Sequence, residues 1–521
     1  MLARYGGRVA WLRFPRLALT DVIAGASVAM VLIPQSLAYA ELAQLPPYIG
    51  LFAAAFPLLI FALLASSPYL QTGPVAVTSL LTIAALPEVE PTELPAIAAL
   101  MAFMVGALRV FFGVARLGYV VQLMSSPVVM GFTSGAAIVI MSSQLPKSLG
   151  VAPPDGGVLW QAGWALRHPG EWLIPAVVLA GVTIALFKGG RRLSPVFPGV
   201  LFAVIVGIVY SRVGDYNGDT INEIPEGLPP ISFDLPWDQI PTLLLGAIII
   251  ALVGFAEPAS IARTFANETG ERWDANQEMV ASGAANFVAA FSGGYPVGGS
   301  FSRSSINRLA GAKTRWSGGI TGLIVIAFLP FASVLEPLPT AVLGAIVLAA
   351  ASSLVNPVKL VRLWQRTKTQ ALLAWATAAA VLVFAPRVER AVILGVVLTL
   401  VLHLTRGFTM AREPQADGSV RVQPVGMIWM GNDANFEQGL REAAEASSAG
   451  VTIDFARIPF LSDSTIDAMS SVSEQLNTNG HQLTWIDAPI GSERMLNNVR
   501  TGEPEPRSAT SATDRVERPD R

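Results

Sequence analysis

Apolar runs recur along the chain from about Leu17 to Leu404 and stop after Thr405. Most approach the roughly 20 residues that cross a ~30 Å hydrocarbon layer as helix. Polar, Pro and Gly punctuation divides them into segments near 18–43, 48–65, 74–86, 95–113, 119–145, 171–187, 196–211, 240–264, 275–293, 300–311, 316–335, 338–355, 370–385 and 389–405. This pattern predicts fourteen spans. Two of them, 74–86 and 300–311, are too short for a regular helical crossing. From about Val420 the pattern changes to that of a small layered α/β domain. Val425–Trp429, Val451–Phe455 and Leu483–Ile486 read as strands, and Asn435–Ser447 and Ser464–Leu476 as helices. Residues 503–521 are polar and Pro-rich and read as a disordered tail.

The basic residues fit this division. Lys and Arg collect on the cytoplasmic side of short loops, and Arg116, then Lys188, Arg191 and Arg192, then Arg272, then Arg308, Lys313 and Arg315, then Lys359, Arg362, Arg366 and Lys368 fall in alternate loops. The opposite loops carry Glu88, Glu90, Glu93, Asp155 and the acidic stretch Asp215 to Glu226. Arg387 and Arg390 depart from the alternation. Residues 1–17, with Arg4, Arg8, Arg13 and Arg16, and the C-terminal part after Arg406 are expected in the cytoplasm, with the body in the inner (plasma) membrane. The apolar run after Arg16 continues through Pro34 to Ala43 without a small-residue cleavage pattern, so it reads as a first span and not as a signal peptide.

Composition agrees and excludes several functions. The chain has 521 residues, 52% hydrophobic and 14% charged, and its mean hydropathy is +0.52. That excess apolarity belongs against lipid. A net charge of -2 supplies no field for nucleic acid. Without Cys there is no disulfide, thiolate metal site or thiol nucleophile. The 3 His residues form no ligand cluster. Gly293-Gly294 and Gly298-Gly299 lack the Lys-Ser/Thr pair of a nucleotide-binding loop, which disfavours an ATP-driven pump. No cofactor, metal or enzymatic chemistry is expected.

An internal repeat is visible. Pro34-Gln35-Ser36-Leu37-Ala38 is echoed by Pro258-Ala259-Ser260-Ile261-Ala262, an offset of 224 residues. The same offset carries the short segment that starts at Gly73-Pro74 onto Val297-Gly298, the start of the other short segment. A duplicated seven-span half inserts upside down relative to the first, because seven is odd. The expected fold class is therefore an α-helical polytopic membrane protein. Its fourteen spans would form a 7+7 inverted repeat, about 18–211 and 240–405, with two short half-helices and a small α/β domain at 420–500 after the membrane domain at 18–405.

Interrupted segments at matching places in two halves point to a transporter's substrate site, since non-helical backbone survives at membrane depth only where it lines a cavity. Both segments open with helix-start chemistry, Gly73-Pro74 leading into Val75-Ala76 and Tyr295-Pro296-Val297-Gly298-Gly299 into Ser300-Phe301-Ser302-Arg303. Two facing half-helices would aim free N–H groups and partial positive charge at one point, which suits an anion. Arg303 adds a planar fork for an oxyanion; the alternative reading places it in a cytoplasmic turn with Arg308. Glu257, beside Pro258 in an apolar run, is a candidate for carrying a proton or holding a cation. Its alternative is a structural ion pair with Arg303 or Arg263. Glu41 is a second coupling candidate, or else a solvated interfacial carboxylate. Gln35 and Tyr39, one turn apart after Pro34, can face one side of a broken first helix; helix packing is the other reading of Tyr39.

The motifs Ile33-Pro34-Gln35-Ser36-Leu37-Ala38-Tyr39-Ala40, Gly73-Pro74-Val75-Ala76-Val77-Thr78-Ser79 and Ser300-Phe301-Ser302-Arg303-Ser304 resemble the SulP family of sulfate-permease-like anion transporters, relatives of prestin and pendrin. The likeness runs in order from Asp21 to about Val499. It implies a core and a gate subdomain, elevator-like movement of the core, a homodimer, and a C-terminal STAS domain with a possible cytoplasmic partner. It also implies a pocket lined by Gln35, Tyr39, Val75, Ala76, Ser300, Phe301, Ser302 and Arg303, with Glu257 at the acidic position of the eighth span. In the STAS segment Pro459-Phe460-Leu461-Ser462-Asp463-Ser464-Thr465-Ile466, Asp463 takes the usual phosphoacceptor position, and a one-residue shift would present Ser464 instead. The function expected is secondary transport of a small anion (sulfate, bicarbonate, dicarboxylate or halide) coupled to H+ or Na+. A nucleobase permease of similar architecture and an anion-sensing signalling protein remain as alternatives.

Overall fold

The computed structural model describes residues 15–87, 89–118, 126–194, 196–221, 223–270, 273–355, 357–366, 368–405, 409–425, 433–456, 463–478, 481–488 and 496. The chain divides into two compact units, Met1–Thr399 and Leu400–Arg521. The tail at 503–521, the segment Pro459–Ser462 and most of the N-terminal arm lie outside the described residues.

The first unit is helical, and its last helix runs on past Thr399. Its helices are α1 (Leu19–Leu42), α2 (Tyr48–Ala54), α3 (Phe56–Leu64), α4 (Ala76–Ala85), α5 (Leu94–Val114), α6 (Ser126–Leu149), α7 (Val158–Arg167), α8 (Ile174–Leu193), α9 (Gly199–Val213), α10 (Ile240–Thr269), α11 (Ala275–Phe291), α12 (Phe301–Leu309), α13 (Trp316–Phe328), α14 (Thr340–Ala351), α15 (Pro357–Arg366), α16 (Lys368–Phe384) and α17 (Glu389–Thr405). Among the described residues, five stretches are long and apolar enough to cross a membrane unaided: Leu19–Leu42, Leu94–Val114, Pro127–Leu149, Trp237–Thr269 and Trp316–Leu335. The other apolar helices are shorter, and helix length by itself does not establish fourteen spans.

Several local expectations change. The first helix is not broken: α1 runs through Pro34, and α10 likewise through Pro258. A proline removes one N–H and the bond it would have made, which a long buried helix accommodates. The break falls instead in the second segment, at Ala55 (φ -84, ψ -90), which separates α2 from α3. Pro57, the second residue of α3, cannot continue the hydrogen bonds of α2. The two short helices α7 and α15 were not anticipated, because their apolar residues lie on one face and make no continuous run.

Helix packing follows a crossed pattern. α1 packs on α12 and α13, while α10 packs on α4 and α5, so the two helices that carry Pro34 and Pro258 each contact the short helix of the other half. α11 packs tightly on α5. A Cβ at Gly106 would stand 2.9 Å from the Gly283 carbonyl oxygen, and one at Gly283 would stand 2.8 Å from the Gly106 oxygen. Glycine at both places lets the two backbones touch.

In the second unit, β1 (Thr409–Pro414), β2 (Val420–Val425), β3 (Gly450–Asp454) and β4 (Gln482–Ile486) form one sheet in the order β1-β2-β3-β4. β1 and β2 are antiparallel and the other two pairs are parallel. The parallel pairs need crossovers, which α18 (Asp433–Ala446) and α19 (Asp463–Thr478) supply. Val422, Phe436, Leu440, Ile453, Met469 and Leu476 make the core. The strand expected at Val425–Trp429 falls almost wholly outside the described residues, and the strand present there is Val420–Val425. The sheet begins earlier than the composition suggests, at Thr409.

The α5–α11 contact makes a prediction. Gly283→Leu should lower the stability of the detergent-solubilised protein by about 1–3 kcal/mol, the usual cost of overpacking. Gly181→Ala, where an added Cβ meets nothing within 4 Å, should leave melting unchanged or slightly raised. Thermal unfolding followed by intrinsic fluorescence checks both.

Candidate functional site

The site starts from two stretches of extended backbone. The Gly298 N–H donates to the Gly73 carbonyl and the Ser300 N–H to the Gln71 carbonyl, each at 3.0 Å, so the two stretches pair in antiparallel fashion. The Thr72 hydroxyl donates to the Gly298 carbonyl at 3.3 Å. Gly73 holds φ +126, a conformation side-chain-bearing residues rarely adopt. Just past this crossing each chain turns into its short helix, α4 after Val75 (φ -142, ψ 150) and α12 after Ser300 (φ -116, ψ 121). Both helical N-termini, with their partial positive charge, therefore leave from one place. The Ser300 hydroxyl accepts from the Arg303 N–H at 3.4 Å.

Arg303 lies in the first turn of α12 and is 0% exposed. Its Nη2 donates to the Thr72 carbonyl at 3.5 Å, while Nε and Nη1 have no hydrogen-bond partner in the chain. Arg308 is different: its side chain is 31% exposed, it pairs with Glu268, and it lies over the rings of Phe265 and Tyr69. The arginine in the surface turn is thus Arg308, and Arg303 is the buried one.

The other predicted residues distribute around this centre. Tyr39, Tyr295 and Glu257 are within electrostatic reach of Arg303. Glu257 precedes Pro258, whose ring would stand 2.9 Å from a Cβ at Gly299, so that charge lies beside the start of α12. Among the described residues no ion pair within 4.0 Å joins Glu257 to Arg303 or Arg263; Arg263 lies over the Trp273 ring instead. Gln35 is 1% exposed, and neither end of its amide has a partner. Val75 and Ala76 are buried at the start of α4. Ser302 is half-buried. Phe301 is 55% exposed and stacks with Phe265, ring centroids 6.4 Å apart. Glu41 stands apart, nearly two turns beyond Gln35, with its Oε1 2.6 Å from Lys147 Nζ of α6.

Residues missed by sequence reasoning complete the frame. The Asn286 side chain accepts from the Val297 N–H at 3.0 Å and donates to the Val297 carbonyl at 3.2 Å, imitating a strand partner. Tyr295 and Ser79 hydroxyls meet at 3.0 Å. Arg109 of α5, also 0% exposed, donates to the Val297 carbonyl at 3.0 Å and to three other acceptors. A signal for it was available, since Arg109 is a basic residue inside the apolar run 95–113, and the argument that singled out Glu257 applies to it equally.

Comparison with known proteins gives a consistent result. The model of the sulfate permease family matches residues 19–378. A probable sulfate transporter of Mycobacterium tuberculosis (strain H37Rv) is 35% identical over 374 residues, covering 70% of this chain and 66% of the relative. The chain thus spans just under two thirds of that relative's length. Probable sulfate transporter 4.2 of Arabidopsis thaliana is 30% identical over 528 residues, 92% of this chain and 77% of the relative. Among solved structures, murine Solute Carrier 26 family member A9, an anion transporter in the inward-facing state, aligns with TM-score 0.75 at 20% identity over 95% of this chain and 89% of that one. The transmembrane domain of a cyanobacterial bicarbonate transporter, BicA, aligns with TM-score 0.63 at 24% identity over 73% of this chain and 97% of that one. The fold is that of these helical membrane proteins.

Gly73 tests the geometry. Gly73→Ala adds a Cβ with nothing nearer than 3.5 Å, so its penalty is the backbone conformation, on the order of 1–3 kcal/mol. The variant should insert but melt earlier than the parent in thermal unfolding followed by intrinsic fluorescence. Gly157→Ala, with no positive φ and nothing within 4 Å, should match the parent in both.

Proposed function

The chain belongs to the sulfate permease family, whose members are membrane transporters and not enzymes, and from that premise we propose that it is a secondary transporter of a small anion held between the N-termini of α4 and α12 and the guanidinium of Arg303. One observation carries the reading: Arg303 is fully buried yet has two donors without a partner, at the place where two short helices begin. Leaving charged donors unsatisfied costs several kcal/mol. An oxyanion accepting from Nε and Nη1 offsets that cost and gains from both helix ends. Gln35, Tyr39, Val75, Ala76, Ser300, Phe301 and Ser302 are the proposed lining. Family membership gives no support to the nucleobase alternative.

The rest of the proposal concerns movement. We read the membrane unit as fourteen spans in a 7+7 inverted repeat, a reading supported by the crossed packing of α1 and α10. The helices sort into two sets, α1–α5 with α10–α13 and α6–α9 with α14–α16, each packing mostly within itself. α1 and α4 carry the main contacts between the sets; Gln35 and Tyr39 lie on α1, Ala76 opens α4 and Val75 caps it. A site on that boundary suits an elevator, in which one set carries the anion past the other. The Glu41–Lys147 pair crosses the same boundary, from α1 to α6, which favours a holding role for Glu41 and leaves coupling to H+ or Na+ with Glu257. The small α/β unit we assign as a STAS regulatory domain. A homodimer, an inner-membrane location and cytoplasmic termini belong to the same proposal.

Two experiments test it. Arg303→Ala should weaken anion binding by about 1–3 kcal/mol, the range for charge-assisted hydrogen bonds, with the helix ends keeping residual affinity. Arg303→Lys should restore charge but not the fork, so oxyanions should lose more than halides. Calorimetric titration of monodisperse protein decides; unchanged affinities in Arg303→Ala would place the site elsewhere. Separately, Glu257→Gln should bind the anion but lose the response of uptake to an imposed pH or Na+ gradient, and a parent-like gradient response removes Glu257 from coupling.

A further inference from the structure

Arg109 is a buried charge to which the proposed site assigns no role. It stands in α5, 0% exposed, and among the described residues no carboxylate lies within 4.0 Å of it. Nε donates to the Ala251 carbonyl at 3.2 Å, Nη2 to the Ile250 carbonyl at 3.0 Å, and Nη1 to the Ser282 hydroxyl at 2.9 Å and the Val297 carbonyl at 3.0 Å. All four acceptors are neutral. They satisfy the guanidinium's hydrogen bonds without cancelling its charge, and an arginine keeps that charge even in a protein interior.

Its place relative to the site is fixed by two neighbours. Val297, whose carbonyl it holds, is followed by Gly298, which bonds to Gly73. On its other side lies Gly254, where a Cβ would stand 2.7 Å from Arg109 Nη2 and 3.1 Å from Thr78 Cγ2. Thr78 is the third residue of α4. The guanidinium and the first turn of α4 therefore face each other across a single glycine.

We propose that Arg109 is a positioning and specificity-determining residue, a fixed positive charge behind the anion site that favours divalent over monovalent anions without touching them. The inference rests on the reading of the site given above. A fixed charge contributes to binding in proportion to the charge of the ligand, whereas a purely structural staple has no such proportionality. Uncompensated cations in a low-dielectric setting act over more than contact distance, because little water screens them.

Sulfate and perchlorate make the test, since both are tetrahedral oxyanions and they differ in charge. Their affinities are measured by thermal-shift titration of the purified full chain in a gluconate buffer. Arg109→Met should weaken perchlorate about tenfold and sulfate about a hundredfold, the square expected for doubled valence. Arg109→Lys, which keeps the charge, should narrow that difference. A second pair of variants leaves Arg109 in place: Ser282→Asp puts a carboxylate against Nη1 and cancels its charge, and should reproduce the valence-dependent loss. Ser282→Asn, its uncharged counterpart, should change both anions by the same factor. If Arg109→Met gives no monodisperse protein, the Ser282 pair decides. Equal fold-losses for sulfate and perchlorate in Arg109→Met, or in Ser282→Asp, overturn the inference while leaving the anion site standing. A parent protein that binds neither anion overturns the site itself and the inference with it.

Discussion

Backbone between membrane helices must find hydrogen-bond partners within the protein, because hydrocarbon offers none. The two extended stretches before α4 and α12 solve this by pairing with each other through Gly73, Gln71, Gly298 and Ser300. Everything else at the site depends on that pairing. It brings two helical N-termini to one place, and it puts Thr72 where its carbonyl meets Arg303. The positive φ of Gly73 and the side-chain clamp of Asn286 on Val297 fix the path on either side.

Two buried arginines flank this crossing and differ in one respect. Arg109 is held by four neutral acceptors and reaches three separate parts of the chain, α10, α11 and the stretch before α12. Arg303 has one acceptor and two open donors. The first is a frame; the second, on the proposed reading, is a point of contact for a ligand. The same contrast holds among the carboxylates: Glu41 is engaged by Lys147, whereas Glu257 has, among the described residues, no basic partner within 4.0 Å.

Close helix contact supports the frame from outside. α5 and α11 touch at Gly106 and Gly283, which brings Arg109 on one helix within reach of Ser282 on the other. Further along, the Asp21 carboxylate of α1 accepts from the Lys313 and Thr314 N–H groups at 2.7 and 2.9 Å, tying the turn after α12 back to the first helix. Small residues and buried carboxylates thus fix the ends of elements that are too short to hold themselves in place.

Much of this was legible along the chain. Lipid-facing apolarity is a property of each residue, so the membrane class, most helix positions and the change to an α/β unit could be read from hydropathy and period. Gly-Pro punctuation marked α4 and α12, and Arg303 and Glu257 stood out as charges in apolar surroundings. The continuity of α1 through Pro34 and the break at Ala55 could not be read, because whether a lost backbone bond is tolerated depends on what packs around it. Nor could the partners of Arg109 or Glu41. These lie 142 and 188 residues away for Arg109 and 106 residues away for Glu41, and only the folded chain decides which distant carbonyl or ammonium comes within 3 Å of a given charge.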